Sequence, residues 1–281
     1  MIQKLLHYCF GMAPDFGGKP WSLIHYVGVA SAIRHIKPEA VHFYYEYEPS
    51  GPWWDLTKPL VSPIKIEAPR EIFGRPVTHP AHRAGVVRLQ KLIEYGGIYL
   101  DADVLVHRSF DDLLGNSTVL GREGFDEKDP SAADAVILGE RQAPFLLRWM
   151  EEYRTFRGDE GYWSEHAVQV PARLAKEHPS EITMLPPTAF FYPLWTPSDI
   201  EWIFGSNKPI PDGAYANHLW ESKAWDKYLD HLTPGRVRRE DTNFHRWARP
   251  YVSDLPDNLG AAPLVTKLGK AARRVKRSIL G

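Results

Sequence analysis

Residues 88–103 read Arg88-Leu89-Gln90-Lys91-Leu92-Ile93-Glu94-Tyr95-Gly96-Gly97-Ile98-Tyr99-Leu100-Asp101-Ala102-Asp103, and they decide the fold. They close a helix that opens at Pro80, a residue suited to a first turn, with Val86, Leu89 and Ile93 at i, i+3, i+7 spacing. Gly96 supplies the left-handed stop after Tyr95, and Ile98–Leu100 begins a strand that runs into Asp101-Ala102-Asp103. Two carboxylates at i, i+2 on the mouth of a strand can point at one hard divalent ion, and a nucleotide diphosphate can then complete its shell. Alone the pair carries little weight, because with 17 aspartates in 281 residues an Asp-x-Asp arises about once by chance. Arg88 adds context. On a helical wheel it borders the apolar stripe beside Leu92, away from the solvated Lys91 and Glu94. Aimed at the sheet's C-terminal rim, it either clamps a phosphate or sugar hydroxyl or closes an internal salt bridge.

Working outward, Lys4–Phe10 is a short apolar run bounded by Gly11 and predicts a first buried strand. Gly11–Pro20, with three Gly and two Pro, is a loop. Ser22–His35 has helical spacing and stops before Pro38, and Val41–Tyr47 predicts a second strand. Pro49–Pro69 holds five Pro and the pair Trp53-Trp54, and reads as a long irregular stretch. Downstream, Ala135–Leu138 predicts a strand, with helices over Pro144–Phe156 and near Val168–His178. Alternating strands and helices argue an α/β domain with a mainly parallel central sheet flanked by helices, over residues 1–260.

Composition narrows the class. Hydrophobic residues at 43% and charged residues at 25% are ordinary for a globular chain, which excludes a disordered, collagenous or coiled-coil protein. The single cysteine, Cys9, excludes an internal disulfide framework. No apolar run approaches the roughly 18–20 residues of a membrane span, and Leu5-Leu6 is followed at once by His7 rather than by a signal-like core. The expectation is a soluble, cytoplasmic protein. Six basic and no acidic residues follow position 260, so the net charge of −1 divides into a body of −7 and a tail of +6. No basic footprint for nucleic acid is present. In the tail, Leu264, Leu268, Ala271, Val275 and Ile279 share one helical face opposite the six cations. At roughly 1 kcal/mol per cation, residues 264–281 suit the surface of an anionic membrane, on its cytoplasmic face; a helix docked on the acidic body is the alternative. The ten tryptophans are either stacking platforms or core.

At its centre the chain resembles glycosyltransferase family 32, whose sugar-binding region contains an Asp-x-Asp motif. That family reads Arg-x3-Leu-x3-Gly-Gly-Ile-Tyr-Leu-Asp-x-Asp, and Arg88, Leu92, Gly96, Gly97, Ile98, Tyr99, Leu100, Asp101 and Asp103 match in register. The opening strand, Ile2-x-Lys4-x-x-His7-Tyr8-Cys9-Phe10-Gly11, is similar too, as is His218-Leu219-Trp220-x-Ser222-x-x-Trp225 near the end. The resemblance implies a GT-A fold, a divalent metal (Mn²⁺ or Mg²⁺), and transfer of a hexose with retention from a nucleotide sugar, a UDP-sugar in preference. The acceptor it implies is a saccharide or a lipid-linked sugar. It also implies that Asp101, Asp103 and His218 hold the metal. His7, Phe10, Gly11, Arg88, Gly97, Tyr99, Asp101, Trp220 and Ser222 fall at donor-binding positions.

One departure stands out: where the family usually has Ser-Asp before the arginine, this chain has Ala84-Gly85. A missing carboxylate there removes a group that discriminates donor sugars. His82, one turn earlier, projects near Leu89 and reads as structural. Asp134 falls where the family often places an Asn beside the donor sugar, so Asp103, Asp134 and Arg88 form the candidate catalytic set. An acidic group there either meets the developing oxocarbenium charge or is a solvated loop aspartate. Glu165 and His166 form a second polar loop of lesser weight. Two other functions stay open, a non-catalytic nucleotide-sugar or carbohydrate binder and a metal-dependent hydrolase, although no Gly-x-Ser-x-Gly elbow or His-Glu-x-x-His helix supports the latter.

Overall fold

Short apolar runs become strands wherever both faces can be buried, and the computed structural model describes residues 1–126 and 131–261. The N-terminal half comprises β1 (Leu5–Cys9), α1 (Leu23–Ile36), β2 (Ala40–Tyr45), α2 (Pro52–Thr57), β3 (Ser62–Lys65), α3 (Pro80–Tyr95) and β4 (Gly97–Leu100). Next come β5 (Val104–Val106), β6 (Thr118–Arg122), β7 (Ala132–Gly139), α4 (Pro144–Glu152), α5 (Val170–Glu177) and β8 (Thr183–Leu185). The chain continues through α6 (Pro197–Phe204), β9 (Ala216–His218), α7 (Glu221–Ala224), α8 (Pro234–Arg239) and α9 (Asn243–Val252).

Among the described residues, seven strands form the main sheet in the order β8-β6-β7-β4-β1-β2-β3. The pairs β1–β2, β1–β4, β2–β3 and β6–β8 are parallel, and β7 alone runs antiparallel to its neighbours β4 and β6. The sheet is thus mainly parallel, as alternation predicts. The pleat sends alternate residues into two cores. Leu6, Tyr8, Phe43, Ile98 and Leu100 pack against Ile24 and Val27 of α1. Cys9, Tyr44, Tyr99 and Ile137 pack against Val86 and Leu89 of α3 and Phe145 and Trp149 of α4. Each aliphatic side chain so buried contributes about 1.5–3 kcal/mol.

α3 has the predicted bounds. Pro80 occupies its first turn, the His79 imidazole accepts from the Ala81 N–H at 3.1 Å, and Gly96, at φ 71°, donates to Leu92 O at 2.7 Å. Four expectations need correcting. The supposedly irregular stretch 49–69 contains α2 and β3, because Pro52 sits in a first turn and Pro63 lies on an edge strand, where a missing N–H costs nothing. The second strand ends at Tyr45, not Tyr47, because the N–H groups of Glu46 and Tyr47 turn to Gly11 O. The helix from Pro144 ends at Glu152 and tightens into a 3₁₀ turn, Tyr153–Thr155, before Phe156. The Asp-x-Asp segment does not prolong its strand: Val104 N–H folds back onto Asp101 O at 3.0 Å, and β5 leaves the main sheet to pair with β9.

Half of the ten tryptophans are core. Trp21, Trp53, Trp54, Trp149 and Trp220 are buried, whereas Trp163 and Trp195 are exposed. Residues 264–281, expected to carry the membrane-facing helix, lie outside the described residues. Among the described residues no helix is long and apolar enough to cross a membrane.

Candidate active site

The site forms where two strand ends converge. At the C-terminal end of β4, Asp101 N–H donates to Ala135 O of β7 at 2.8 Å, which sets the Asp-x-Asp turn on the sheet's rim. β5 then pairs antiparallel with β9 so that His218 stands opposite Val104, and Leu219 N–H donates to Asp103 O at 2.9 Å. A residue 115 positions away in sequence is thereby placed beside the turn: His218 Nε2 lies 3.2 Å from Asp103 Oδ1. The ligating atoms of Asp101, Asp103 and His218 all lie within 4.8 Å of one another.

Each carboxylate has one oxygen anchored by a neighbour, and the second oxygen of Asp103 faces the His218 imidazole. Asp101 Oδ1 accepts from the Tyr99 hydroxyl at 2.7 Å and lies 3.3 Å from the Arg88 guanidinium. Asp103 Oδ2 accepts from the Glu221 N–H at 2.8 Å. The remaining oxygens and the imidazole nitrogen make a two-carboxylate, one-histidine donor set that fits a divalent ion such as Mn²⁺ or Mg²⁺. Burial works against the Asp103 carboxylate, yet His218 and the Glu221 N–H outweigh it and hold its pKa well below the usual carboxylate range. Burial likewise opposes a charged His218, and the carboxylate of Asp103 overcomes it and raises the imidazole pKa. The two shifts describe one buried carboxylate–imidazolium pair, each charge sustained by the other.

Arg88 is 6% exposed, and of its two readings it takes the internal one. Its Nη1 donates to Asp134 O at 2.6 Å and pairs with Asp134 Oδ1 at 3.0 Å, while Nη2 faces Asp101 and the guanidinium lies over the Tyr99 ring, 4.5 Å from its centroid. Burial opposes this charge, but Asp101 and Asp134 keep it fully protonated. Asp134 is not in a solvated loop, as one sequence reading allowed: it lies on β7, and burial, with Asp101 nearby, pushes its carboxyl up to about 6 despite Arg88.

The other predicted positions divide. His7 is 0% exposed, with Nε2 2.8 Å from Gly96 O and Nδ1 3.2 Å from the Tyr44 hydroxyl, so both nitrogens are spent inside the sheet. Gly97, at φ 113°, lets the chain pass the Leu5 carbonyl and the His7 ring. Tyr99 is buried and reaches Asp101 rather than solvent. Trp220 is 8% exposed, donates to Pro193 O at 3.0 Å and packs on His218 at 4.1 Å. Phe10 packs against Phe16, Trp21 and His25, Gly11 accepts from Glu46 and Tyr47, and Ser222 is exposed on α7. His82 is structural as expected, packed against Phe156 and Trp163. Glu165 pairs with Arg157 at 2.6 Å and buried His166 faces Glu152 O, so both brace the chain.

Sequence reasoning missed five contributors. Gly28 of α1 seats the Asp-x-Asp turn, since a methyl there would stand 2.6 Å from Ala102 O. His25 faces the Glu221 carboxylate at 3.1 Å, and Lys19 approaches it at 3.8 Å. Glu123, just beyond β6, is pushed up by burial and interacts with His218 and Asp134. Tyr153 fills the place of the absent family carboxylate: its hydroxyl lies 3.3 Å from where a Gly85 side chain would begin. The small residues Gly28, Ser31 and Ala32 on one helical face were the legible signal for the first; the others carry none in local sequence.

Comparison with known proteins agrees with this geometry. Residues 39–120 match the family model described as glycosyltransferase sugar-binding region containing DXD motif. The chain is 38% identical over 268 residues to glucan organizing enzyme 1 of Cryptococcus neoformans, across 92% of this chain and 72% of that protein. A 75-residue segment is 39% identical to an uncharacterised Arabidopsis thaliana protein, covering 27% of this chain and 11% of that one. Among solved structures, the apo WbbM bifunctional glycosyltransferase superposes with a TM-score of 0.52 at 12% identity, over 91% of this chain and half (50%) of that one. That likeness is one of fold, and it agrees with the GT-A arrangement.

Proposed function

The chain belongs to the glycosyltransferase family whose sugar-binding region contains the Asp-x-Asp motif, and on that premise we propose that it transfers a hexose, with retention, from a UDP-sugar to a saccharide or lipid-linked acceptor. The observation that carries this reading is the convergence of Asp101, Asp103 and His218 at the sheet's C-terminal rim. The name of the fungal relative, a glucan organizing enzyme, supports a glucan as acceptor. The six cations after residue 260 support contact with an anionic membrane surface, which suits a lipid-linked acceptor.

In this reading Asp101, Asp103 and His218 would hold Mn²⁺ or Mg²⁺, which when bound neutralises the departing diphosphate. Phe10, Gly11 and Ser222 line the donor's approach. His7, Gly97, Tyr99 and Trp220 act at one remove, by holding the strand ends that carry the ligands. Arg88 is a positioning residue that acts through Asp101 and Asp134. Asp134 faces the positive charge that develops at the anomeric carbon. Orientation and electrostatics supply most of the acceleration, and no covalent nucleophile is invoked.

The test is a screen of nucleotide sugars with and without Mn²⁺ on wild type and Asp103→Ala, with the anomeric configuration of the product read by NMR. Metal-dependent turnover of one nucleotide sugar, lost in the variant, is expected. If wild type binds no nucleotide sugar, the reading fails. Binding without turnover indicates a non-catalytic module, and bond cleavage without an acceptor or nucleotide sugar indicates a hydrolase.

A further inference from the structure

His218 faces Asp103, so its neighbour Asn217 projects to the other side of the β5–β9 ribbon. On that side lies a cavity of about 330 Å³ whose lining includes His107, Asp212, Asn217, Asn243, Arg246 and Trp247. Its frame is already hydrogen-bonded. Asn217 Nδ2 donates to Tyr192 O at 2.7 Å, which turns its Oδ1 toward His107 Nε2, also at 2.7 Å. Asn243 Nδ2 donates to Trp202 O and Lys208 O, both at 2.9 Å.

What remains for a ligand has a definite character. With its hydrogen on Nε2, His107 offers Nδ1 as an acceptor, and burial, which lowers its pKa to about 4, keeps the ring neutral. Asp212 offers a carboxylate with no ion-pair partner among the described residues. Arg246 is neutralised by Asp241 through two contacts of 2.7 Å. Trp247, half-buried, meets the His107 ring edge-on at 4.9 Å and contributes an aromatic wall. Acceptors without an unbalanced cation repel phosphate and suit a neutral polyol, whose hydroxyls donate and whose C–H faces pack on an indole.

A row of aromatic rings runs from beside this cavity to the segment that follows Glu123. Phe125, 55% exposed, stands two residues beyond Glu123 and meets Tyr192 edge-on at 5.3 Å. Tyr192 meets Trp202 at 5.7 Å, and Trp202 donates to Lys208 O at 2.9 Å, beside the 209–214 loop that walls the cavity.

We propose that the cavity bounded by Trp247, Asp212 and His107 is a second saccharide site, which grips a chain-like acceptor away from the unit that receives the sugar. The Phe125–Tyr192–Trp202 row is its path to the transfer site. The proposal rests on the reading of the acceptor as a saccharide.

Calorimetric titration of the full chain in EDTA, with linear β-1,3- and α-1,4-glucohexaose and mannohexaose, tests it. At least one hexaose should bind wild type and Asp103→Asn alike, and about tenfold or more weakly to Trp247→Ala and Asp212→Asn. Asp212 is exposed, so its variant keeps the test valid if Trp247→Ala fails to fold. Donor hydrolysis in Mn²⁺ should be unchanged in both cavity variants. Binding lost in Asp103→Asn, binding equal in wild type and both cavity variants, or no hexaose bound at all overturns the proposal. Failure of wild type to hydrolyse any nucleotide sugar would instead count against the transferase reading.

Discussion

The α-carbon of Gly28 lies directly under the carbonyl of Ala102: a methyl group there would stand 2.6 Å from Ala102 O and 3.0 Å from Val104 O. The same helical face supplies Ser31, whose hydroxyl donates to Gly28 O at 2.8 Å and accepts from Val106 N–H at 2.9 Å. Helix α1 therefore carries the Asp-x-Asp turn on its backbone. Gly→Ala at an unstrained site stabilises by about 0.4–1 kcal/mol through the unfolded chain. Here the added carbon must push the turn away, so Gly28→Ala should destabilise by about 1–3 kcal/mol and weaken metal binding. Thermal denaturation checks the sign, and a more stable variant contradicts the contact.

Tyr99→Phe removes only the hydroxyl that holds Asp101 Oδ1 at 2.7 Å. Loss of such an outer partner typically weakens metal affinity by about 10–100-fold. Titration with Mn²⁺ should show that loss while the far-UV circular dichroism stays that of wild type.

Arg88 compensates two carboxylates in a buried setting, so Arg88→Ala should destabilise by about 3–5 kcal/mol in urea unfolding. Asp134→Asn should cost far less, because Arg88 keeps Asp101 and the Asp134 carbonyl at 2.6 Å. Arg88→Lys should not rescue, since one ammonium cannot span both partners as the guanidinium fork does. Equal costs for Arg88→Ala and Asp134→Asn would refute this division.

Burial lowers His7 and His107 from 6.5 to about 4 in the folded state. Below pH 6.5 the unfolded chain takes up protons that the folded chain refuses, so their stabilisation is complete above 6.5 and drains away as pH falls toward 4. Each should contribute on the order of 3 kcal/mol across that window. Asp103, held well below its usual range, governs the loss at still lower pH. Urea unfolding at successive pH values should show the slope, and His7→Gln, whose amide can still donate to Gly96 O, should flatten part of it. A wild-type profile level from 6.5 to 4 would count against buried neutral imidazoles.

Much of this arrangement was legible in residue order. Pro80 and Gly96 bracket α3, apolar runs mark β1 and β2, and Asp101 and Asp103 fall at a strand end. Pro-rich segments misled, because Pro52 and Pro63 occupy positions where a proline ring is harmless. The opening of the site was less legible, because exposure along a motif cannot be read from the motif. His7, Tyr99 and Trp220 are matched positions whose polar atoms face the protein interior.

By itself, the sequence determined what depends on neighbours along the chain: helical periodicity, turn chemistry at Gly96, and carboxylates two residues apart on a strand mouth. Only the tertiary structure decided what depends on register and packing between distant segments. The β5–β9 ladder brings His218 to Asp103, the bare face of Gly28 admits the turn, and Asp134 pairs with Arg88. The physical reason is that a side chain's partner is set by which backbones lie within about 5 Å of each other, and strand pairing across a hundred residues leaves no periodic trace in either strand.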